Sequence, residues 1–438
     1  MHTLSYGTGK LTFSLPGGYS VEYIGPESAA PGGGGPSEEE IVLQALDTSV
    51  GTPAGFTFSE FPASVEDSLC IVIPDQTRKC RLDFILPLVL KRCEAAGIRR
   101  ESITLLIAYG THQQCSEEEL ERLVGPEIIR NYRILHHDSR DAAGLVPAGT
   151  TTRGTEVRVN RAVLKVDAVL LIGGVTEHYF AGFGGGPKLL VPGCACYETI
   201  RQNHSLSIDP AVPGMHPGCF EGNMDGNPVQ EDIREAVELV RRAAAWGGDF
   251  TLQVVLDRKG KIGFAAAGEL YAAHDAACKE FQRRYARAGA GRRSAAGGYD
   301  LVVAGCGGHP KDLSFIQAHK RLRQAARAVR EGGVILFAAE CRQGIGSETF
   351  LSMFEHGGIE EMHRAVAEDY VLNGTTALSV GQVTRRAEVY LYSELPDETV
   401  RTMGMTPSGS VDEALQSLRG LLPAEARCLV VDDGYVML

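Results

Sequence analysis

Apolar and polar residues along this chain alternate with two different periods, and the switches between them predict an α/β protein. Ser68–Pro74 (SLCIVIP), Ile103–Ala108 and Val166–Ile172 (VDAVLLI) are short, nearly unbroken apolar runs, the pattern of strands covered on both faces. Leu82–Ala96 has helical spacing and lies between the first two, so the opening unit reads βαβα with right-handed crossovers. Ser116, followed by Glu117, Glu118 and Glu119, reads as a helix N-cap with acids in its first turn. Helices from Val229 to about Trp246 and over Leu270–Ala286 flank strands at Thr251–Leu256 and Ile262–Ala265. The alternation resumes with a strand at Asp300–Ala304, a helix over Leu313–Arg330 and a strand at Gly333–Phe337. Strands at Ala387–Tyr392 and Cys428–Val431 close it. Residues 1–24 alternate apolar and polar (Leu11, Phe13, Val21, Tyr23) and suit a small hairpin.

Two stretches cannot build a core. Gly25–Glu39 and Gly289–Gly298 are rich in glycine with proline or serine, the composition of loops and linkers. The second sets the expected division: an N-terminal α/β domain over 1–288, a linker over 289–298 and a C-terminal α/β domain over 299–438. Each should hold a largely parallel sheet flanked by helices. With 438 residues, 44% of them hydrophobic, the chain is long enough for two or three cores. A net charge of −12 with no basic block argues against nucleic acid as the main partner. Eleven cysteines without a ladder of close pairs read as reduced thiols. No signal-like start and no apolar run of about 18 residues is present, so the expectation is a cytoplasmic protein without a membrane span.

The densest chemistry follows the run Val166–Ile172. Gly173–Ser205 gathers His178, Lys188, His204 and many glycines behind that strand. Ligand sites in open α/β sheets lie beyond the carboxyl ends of strands, where Asp75–Arg78 and His112 also fall. Gly182–Lys188 is not a phosphate loop, because Leu189 follows the lysine, and Pro187 spoils the dinucleotide fingerprint. Its glycines suit either a tight surface turn or a cradle for an anion or flat ligand. Pro187 restrains the chain before Lys188. A solvated charge is the ordinary reading of a lysine; enclosed by glycines and apolar residues, it would have a lowered pKa and be nucleophilic. His112 and His178 taken singly suit satisfied histidines, but a pair at one sheet edge suits acid–base work on the two faces of a substrate. His204 reads as a helix C-cap or a metal ligand. Cys194 and Cys196 form a C-x-C without a second pair and read as buried thiols.

Taken in order, D-x-T-R at Asp75–Arg78, G-T-H at Gly110–His112, H-Y-F-A-G-F-G-G-G-x-K at His178–Lys188 and N-H-S at Asn203–Ser205 closely resemble the nickel-pincer-nucleotide lactate racemase family. The likeness continues at Gly307–Pro310 and at Gln317-Ala318-His319-Lys320, where the family pattern is Q-A-x-K, and it spans nearly the whole chain.

The resemblance implies a racemase or epimerase of a small 2-hydroxy acid, with the active site in a cleft between the two domains. It implies a nickel pincer nucleotide covalently attached at Lys188, with His204 as the protein's ligand to the metal and separate maturation enzymes to make the cofactor. Asp75, Gln76, Thr77 and Arg78 would line that cofactor. Arg78, Gln317 and Lys320 would bind substrate, and His112 and His178 would be the catalytic acid–base pair. The chain departs from the lactate-type pattern in three places: Pro187 stands where the pattern has arginine, Gln76 where it has histidine and Lys79 where it has proline. A frequent C-terminal tryptophan is absent, Tyr370 standing in that stretch. These departures extend the expected substrates beyond lactate. Two other functions stay open: a divalent-metal lyase or hydrolase using His112, His178 and His204, and a non-catalytic cofactor-binding protein.

Overall fold

Two six-stranded sheets with helices packed on them organise the chain. The computed structural model describes all residues except 26–34, 54–55, 62–64, 66, 210, 245, 286–296, 372 and 433–438. The chain opens with a hairpin, β1 (His2–Tyr6) and β2 (Gly9–Phe13), then β3 (Ser20–Ile24) and helix α1 (Glu38–Asp47). The first large sheet starts at β4 (Leu69–Pro74). Helix α2 (Leu82–Ala95) returns to β5 (Ile103–Ala108), and α3 (Glu117–Val124) and α4 (Pro126–Asn131) lead to β6 (Arg133–His136). Ser116 caps α3 as expected, in a reciprocal capping box with Glu119. A hairpin of β7 (Leu145–Thr150) and β8 (Glu156–Asn160) and the short α5 (Arg161–Leu164) precede β9 (Ala168–Gly174). A two-residue ribbon, β10 (Glu177–His178) and β11 (Gly182–Phe183), then α6 (Tyr197–Ser205) and α7 (Pro228–Ala243), connect to β12 (Gly248–Leu256), β13 (Ile262–Gly268) and α8 (Leu270–Tyr285).

The strand order is β13-β12-β9-β4-β5-β6, parallel throughout except for the antiparallel edge strand β13. Every residue of β4 is buried, and the two faces feed different cores. Ile71 and Ile73 pack with Leu105, Ile107 and Ile172, while Cys70 and Val72 pack with Leu106, Val169 and Leu171. That double burial explains the unbroken apolar runs. From β4 the chain builds toward β5 and β6 and later returns on the other side through β9. The order therefore reverses between β4 and β9, where open α/β sheets leave a crevice.

The second sheet is all parallel in the order β17-β16-β15-β14-β18-β3, with β14 (Tyr299–Gly305), β15 (Val329–Ala338), β16 (Glu388–Tyr392), β17 (Thr406–Pro407) and β18 (Arg427–Val431). Helix α9 (Phe315–Ala328) joins β14 to β15 and carries Gln317 and Lys320. One compact unit comprises 33–207 and 217–284; the other comprises 1–32, 208–216 and 285–438. Residues 1–32 and 208–216 thus group with the C-terminal sheet and not with the N-terminal domain expected over 1–288. For the N-terminal segment the physical reason is that β3 pairs in parallel with β18, a partner about 400 residues away that no local periodicity reveals. Most of the expected linker, 289–296, lies outside the described residues, as does most of the Gly25–Glu39 loop.

All eleven cysteines are buried, as expected of thiols in a core. Among the described residues no helix is long and apolar enough to cross a membrane.

Candidate active site

The loops after β4, β5 and β9 converge at the reversal of strand order. Past Pro74, Asp75 turns the chain: its Oδ1 accepts from the Thr77 amide at 2.7 Å and from the Thr77 hydroxyl, and its main-chain oxygen accepts from the Arg78 amide. Asp75 Oδ2 lies 2.8 Å from His112 Nδ1 in the loop after β5. Only 3% of the Asp75 side chain is exposed against 41% of the His112 side chain, so the carboxylate is buried support and the imidazole is the accessible partner. Burial opposes charge on Asp75, yet the hydrogen bond and charge of His112, the bond from Thr77 and the nearby Arg78 together hold its carboxyl below the usual range. A carboxylate only accepts, so His112 donates through Nδ1 and its Nε2 is left as the basic nitrogen.

His178 ends β10 and is held the opposite way. Its Nδ1 lies 3.2 Å from the amide nitrogen of Ala181, which donates to it. In the neutral ring the proton then sits on Nε2. In their neutral forms one histidine therefore keeps its lone pair at Nε2 and the other its proton there.

Lys188 sits in a one-turn 3-10 helix, Gly186–Leu189. Its Nζ is shut off from solvent and has no hydrogen-bond partner among the described residues. Burial, reinforced by Arg78, lowers its pKa to about 7, so a neutral, nucleophilic amine is well populated at physiological pH. The glycine loop ahead of it is moulded by side chains beneath. Gly185 and Gly186 have φ of +76° and +51°, and a Cβ on Gly186 would sit 2.4 Å from His274 Cγ. Gly186 N donates to Gln253 Oε1 at 2.8 Å, and His274 Nε2 donates to Gly184 O at 2.9 Å. Gln253 has room because the parallel register of β9 and β12 sets it opposite Gly173, which has no side chain.

Phe180 joins the remaining groups. Its buried ring meets His178 edge-on at 4.6 Å and His204 edge-on at 5.0 Å between centroids, and Lys188 Nζ lies 5.7 Å from its centre. His204 occupies the last turn of α6. Burial, then the charges of Lys188 and His112, lower its pKa to about 3, so the ring is neutral and able to ligate metal.

Asp75, Thr77, Arg78, His112, His178, Lys188 and His204 thus belong to one constellation in one unit. Gln76 has a buried Oε1 with no hydrogen-bond partner among the described residues and, with Arg78 and Lys79, lines a cavity of about 360 Å³ that does not reach His112, His178, Lys188 or His204. Gln317 and Lys320 stand in the other unit, bonded through Lys320 Nζ and Gln317 Oε1 at 3.1 Å. Gln253, His274 and Asp232 escaped the sequence reading, and Phe180 and Asn203 stood inside quoted motifs without an assigned role. The local signals were an aromatic beside a histidine in H-Y-F and an amide beside one in N-H-S. Among the described residues no three His, Cys, Asp or Glu side chains are gathered as a metal site, which disfavours the three-histidine alternative. The amine of Lys188, buried and without a hydrogen-bond partner among the described residues, and the neutral imidazole of His204 are instead groups able to hold a tethered ligand and a metal.

Comparison with known proteins matches a lactate racemase N-terminal domain to residues 6–213 and a lactate racemase C-terminal domain to residues 295–438. The lactate racemase of Thermoanaerobacterium thermosaccharolyticum is 28% identical over 437 residues, covering 98% of this chain and 97% of that protein. That of Lactiplantibacillus plantarum is 28% identical over 404 residues, covering 91% and 90%. The solved structure of the Thermoanaerobacterium lactate racemase apoprotein superposes with a TM-score of 0.83 at 25% identity, covering 100% of this chain and 99% of that one. A Thermotoga maritima protein shares the fold at a TM-score of 0.63 and 17% identity, covering 92% of this chain and 97% of that one.

Proposed function

Because this chain belongs to the lactate racemase family, we propose that it inverts the configuration at Cα of a 2-hydroxy acid, as a racemase or epimerase. The observation that carries the reading is Lys188, a buried amine with no hydrogen-bond partner among the described residues and a pKa of about 7 beside neutral His204. Lys188 would hold a nickel pincer nucleotide covalently, His204 would ligate its metal, and Asp75, Gln76, Thr77 and Arg78 would line it. When bound, that group supplies an electron-poor centre able to take up and return hydride.

The chain's own residues do the rest. Arg78, Gln317 and Lys320 bind the substrate, whose carboxylate calls for cations on a protein of net charge −12. His112, oriented by Asp75, takes the hydroxyl proton at Nε2 for one enantiomer. His178 returns a proton from Nε2 for the other, and the roles exchange in the reverse direction. A keto acid formed by hydride loss carries no carbanion, so imidazoles are strong enough bases. Pro187, Gln76 and Lys79 support a substrate other than lactate. Maturation enzymes would supply the cofactor, and eleven buried thiols support a cytoplasmic setting.

The test is co-expression with cofactor-making enzymes, followed by intact-protein mass measurement and a chiral assay over a panel of 2-hydroxy acids. The expected results are an adduct that Lys188→Ala abolishes and interconversion of at least one acid. An unmodified lysine in the matured protein, or an adduct persisting in Lys188→Ala, would overturn the tether. Loaded protein that turns over no acid in the panel would overturn the activity.

A further inference from the structure

We propose that Asn203 and Asp232 are positioning residues that hold the His204 ring as its Nδ1–H tautomer, keeping the Nε2 lone pair available for nickel. This deepens the racemase reading and rests on it for the identity of the metal. The tautomer itself follows from hydrogen bonding alone.

Asn203 and Asp232 are completely buried, on α6 and α7 respectively. The Asp232 carboxylate accepts from the Thr151 hydroxyl at 2.6 Å, the Thr155 hydroxyl at 2.9 Å and Asn203 Nδ2 at 2.8 Å. Asn203 Nδ2 also donates to the main-chain oxygen of Val229 at 3.1 Å. A carboxylate and a carbonyl oxygen both demand a donor, so the amide nitrogen must face them. The network therefore assigns the orientation of this amide twice over, which a lone asparagine would leave open.

The consequence falls on the next residue. Asn203 Oδ1, turned away from Asp232, lies 3.1 Å from His204 Nδ1. An amide oxygen has no proton to give, so Nδ1 carries the hydrogen and Nε2 keeps its lone pair. Metal-binding imidazoles commonly have their second nitrogen fixed in this way by an acceptor. Here the acceptor is an amide whose own direction is set by a carboxylate one step further away. The adjacency of Asn203 and His204 on one helix and the depth of Asp232 make the relay rigid. A role confined to packing α6 against α7 would be indifferent to the tautomer, and that separates the two explanations.

The decisive measurement uses apo protein with histidine labelled in carbon-13 and nitrogen-15, the His204 signal being assigned by its loss in His204→Gln. The wild-type ring should show a protonated Nδ1 and an unprotonated Nε2. A dominant Nε2–H would overturn the proposal without any variant. Asn203→Ala should give a mixed population of tautomers. After co-expression with the cofactor-making enzymes, Asn203→Ala should lose nickel to a chelator about 10- to 100-fold more readily than wild type, with the mass of the Lys188 adduct unchanged. Asp232→Ala, which removes one of two acceptors holding the amide, should shift both readouts less and in the same direction. A variant with wild-type tautomer and wild-type nickel retention removes that residue from the role. Absence of the adduct in wild-type protein would strike the racemase reading instead, leaving the apo tautomer result to stand by itself.

Discussion

Replacing Lys188 by Met in the apo protein should stabilise the unit that contains it, and the gain should depend on pH with a definite sign. The fold lowers the lysine pKa from 10.5 to about 7, chiefly by burial. The unfolded chain keeps the ordinary value, so between pH 7 and 10.5 the unfolded state binds more protons at this site. Stability contributed through Lys188 therefore rises with pH across that window. Below pH 7 both states are protonated there and the penalty is complete: about 1.4 kcal/mol per pH unit from 10.5 down to 7, or roughly 4–5 kcal/mol as an upper value. Met fills nearly the same space without the charge. At pH 6 Lys188→Met should be more stable than wild type by about 3–5 kcal/mol, and by pH 10 the difference should fall under about 1 kcal/mol. Trp246 is the only tryptophan in the chain and lies in the same unit, so its fluorescence in urea follows that unit alone. Equal stability at pH 6, or a difference flat from pH 6 to 10, would refute the desolvated-lysine argument.

Asp75→Asn should leave the strand end folded at neutral pH but lower turnover of the matured enzyme by about 10²- to 10⁴-fold, because an amide can donate to His112 and favour the wrong tautomer; unchanged kcat would remove Asp75 from that role. His112→Asn and His178→Asn should each reduce interconversion by at least about 10²-fold in a chiral assay, and near-normal turnover in either would take that residue out of the mechanism. Gly186→Ala should cost about 2–4 kcal/mol in the Trp246 urea transition, since it adds a left-handed strain to a Cβ only 2.4 Å from His274; a wild-type midpoint would contradict the close approach.

The strands were legible because burial on both faces leaves no polar position to interrupt a run such as Leu69–Pro74. The candidate site residues drew notice because they follow such runs, and strand ends are where an open sheet leaves backbone for a site. Two kinds of information were not. The pairing of β3 with β18 depends on residues at opposite ends of the chain, and Ser20–Ile24, exposed at all but Ile24, suits a hairpin as well as a sheet edge. The polar supports lie deeper. Gln253 reads as an ordinary polar residue within a strand until the register with β9 sets it opposite Gly173, and Asp232 reads as one acid among several on an amphipathic helix. Periodicity assigns a buried polar side chain to the wrong face by default, since it scores every polar atom as outward. What corrects the assignment is the count of donors and acceptors once the elements are packed. A buried carboxylate with three donors is an anchor, and the direction in which it turns Asn203 sets that amide's oxygen against Nδ1 of His204. The motifs therefore held the candidate site residues, while supports such as Gln253, His274 and Asp232 come into view only once the elements are packed.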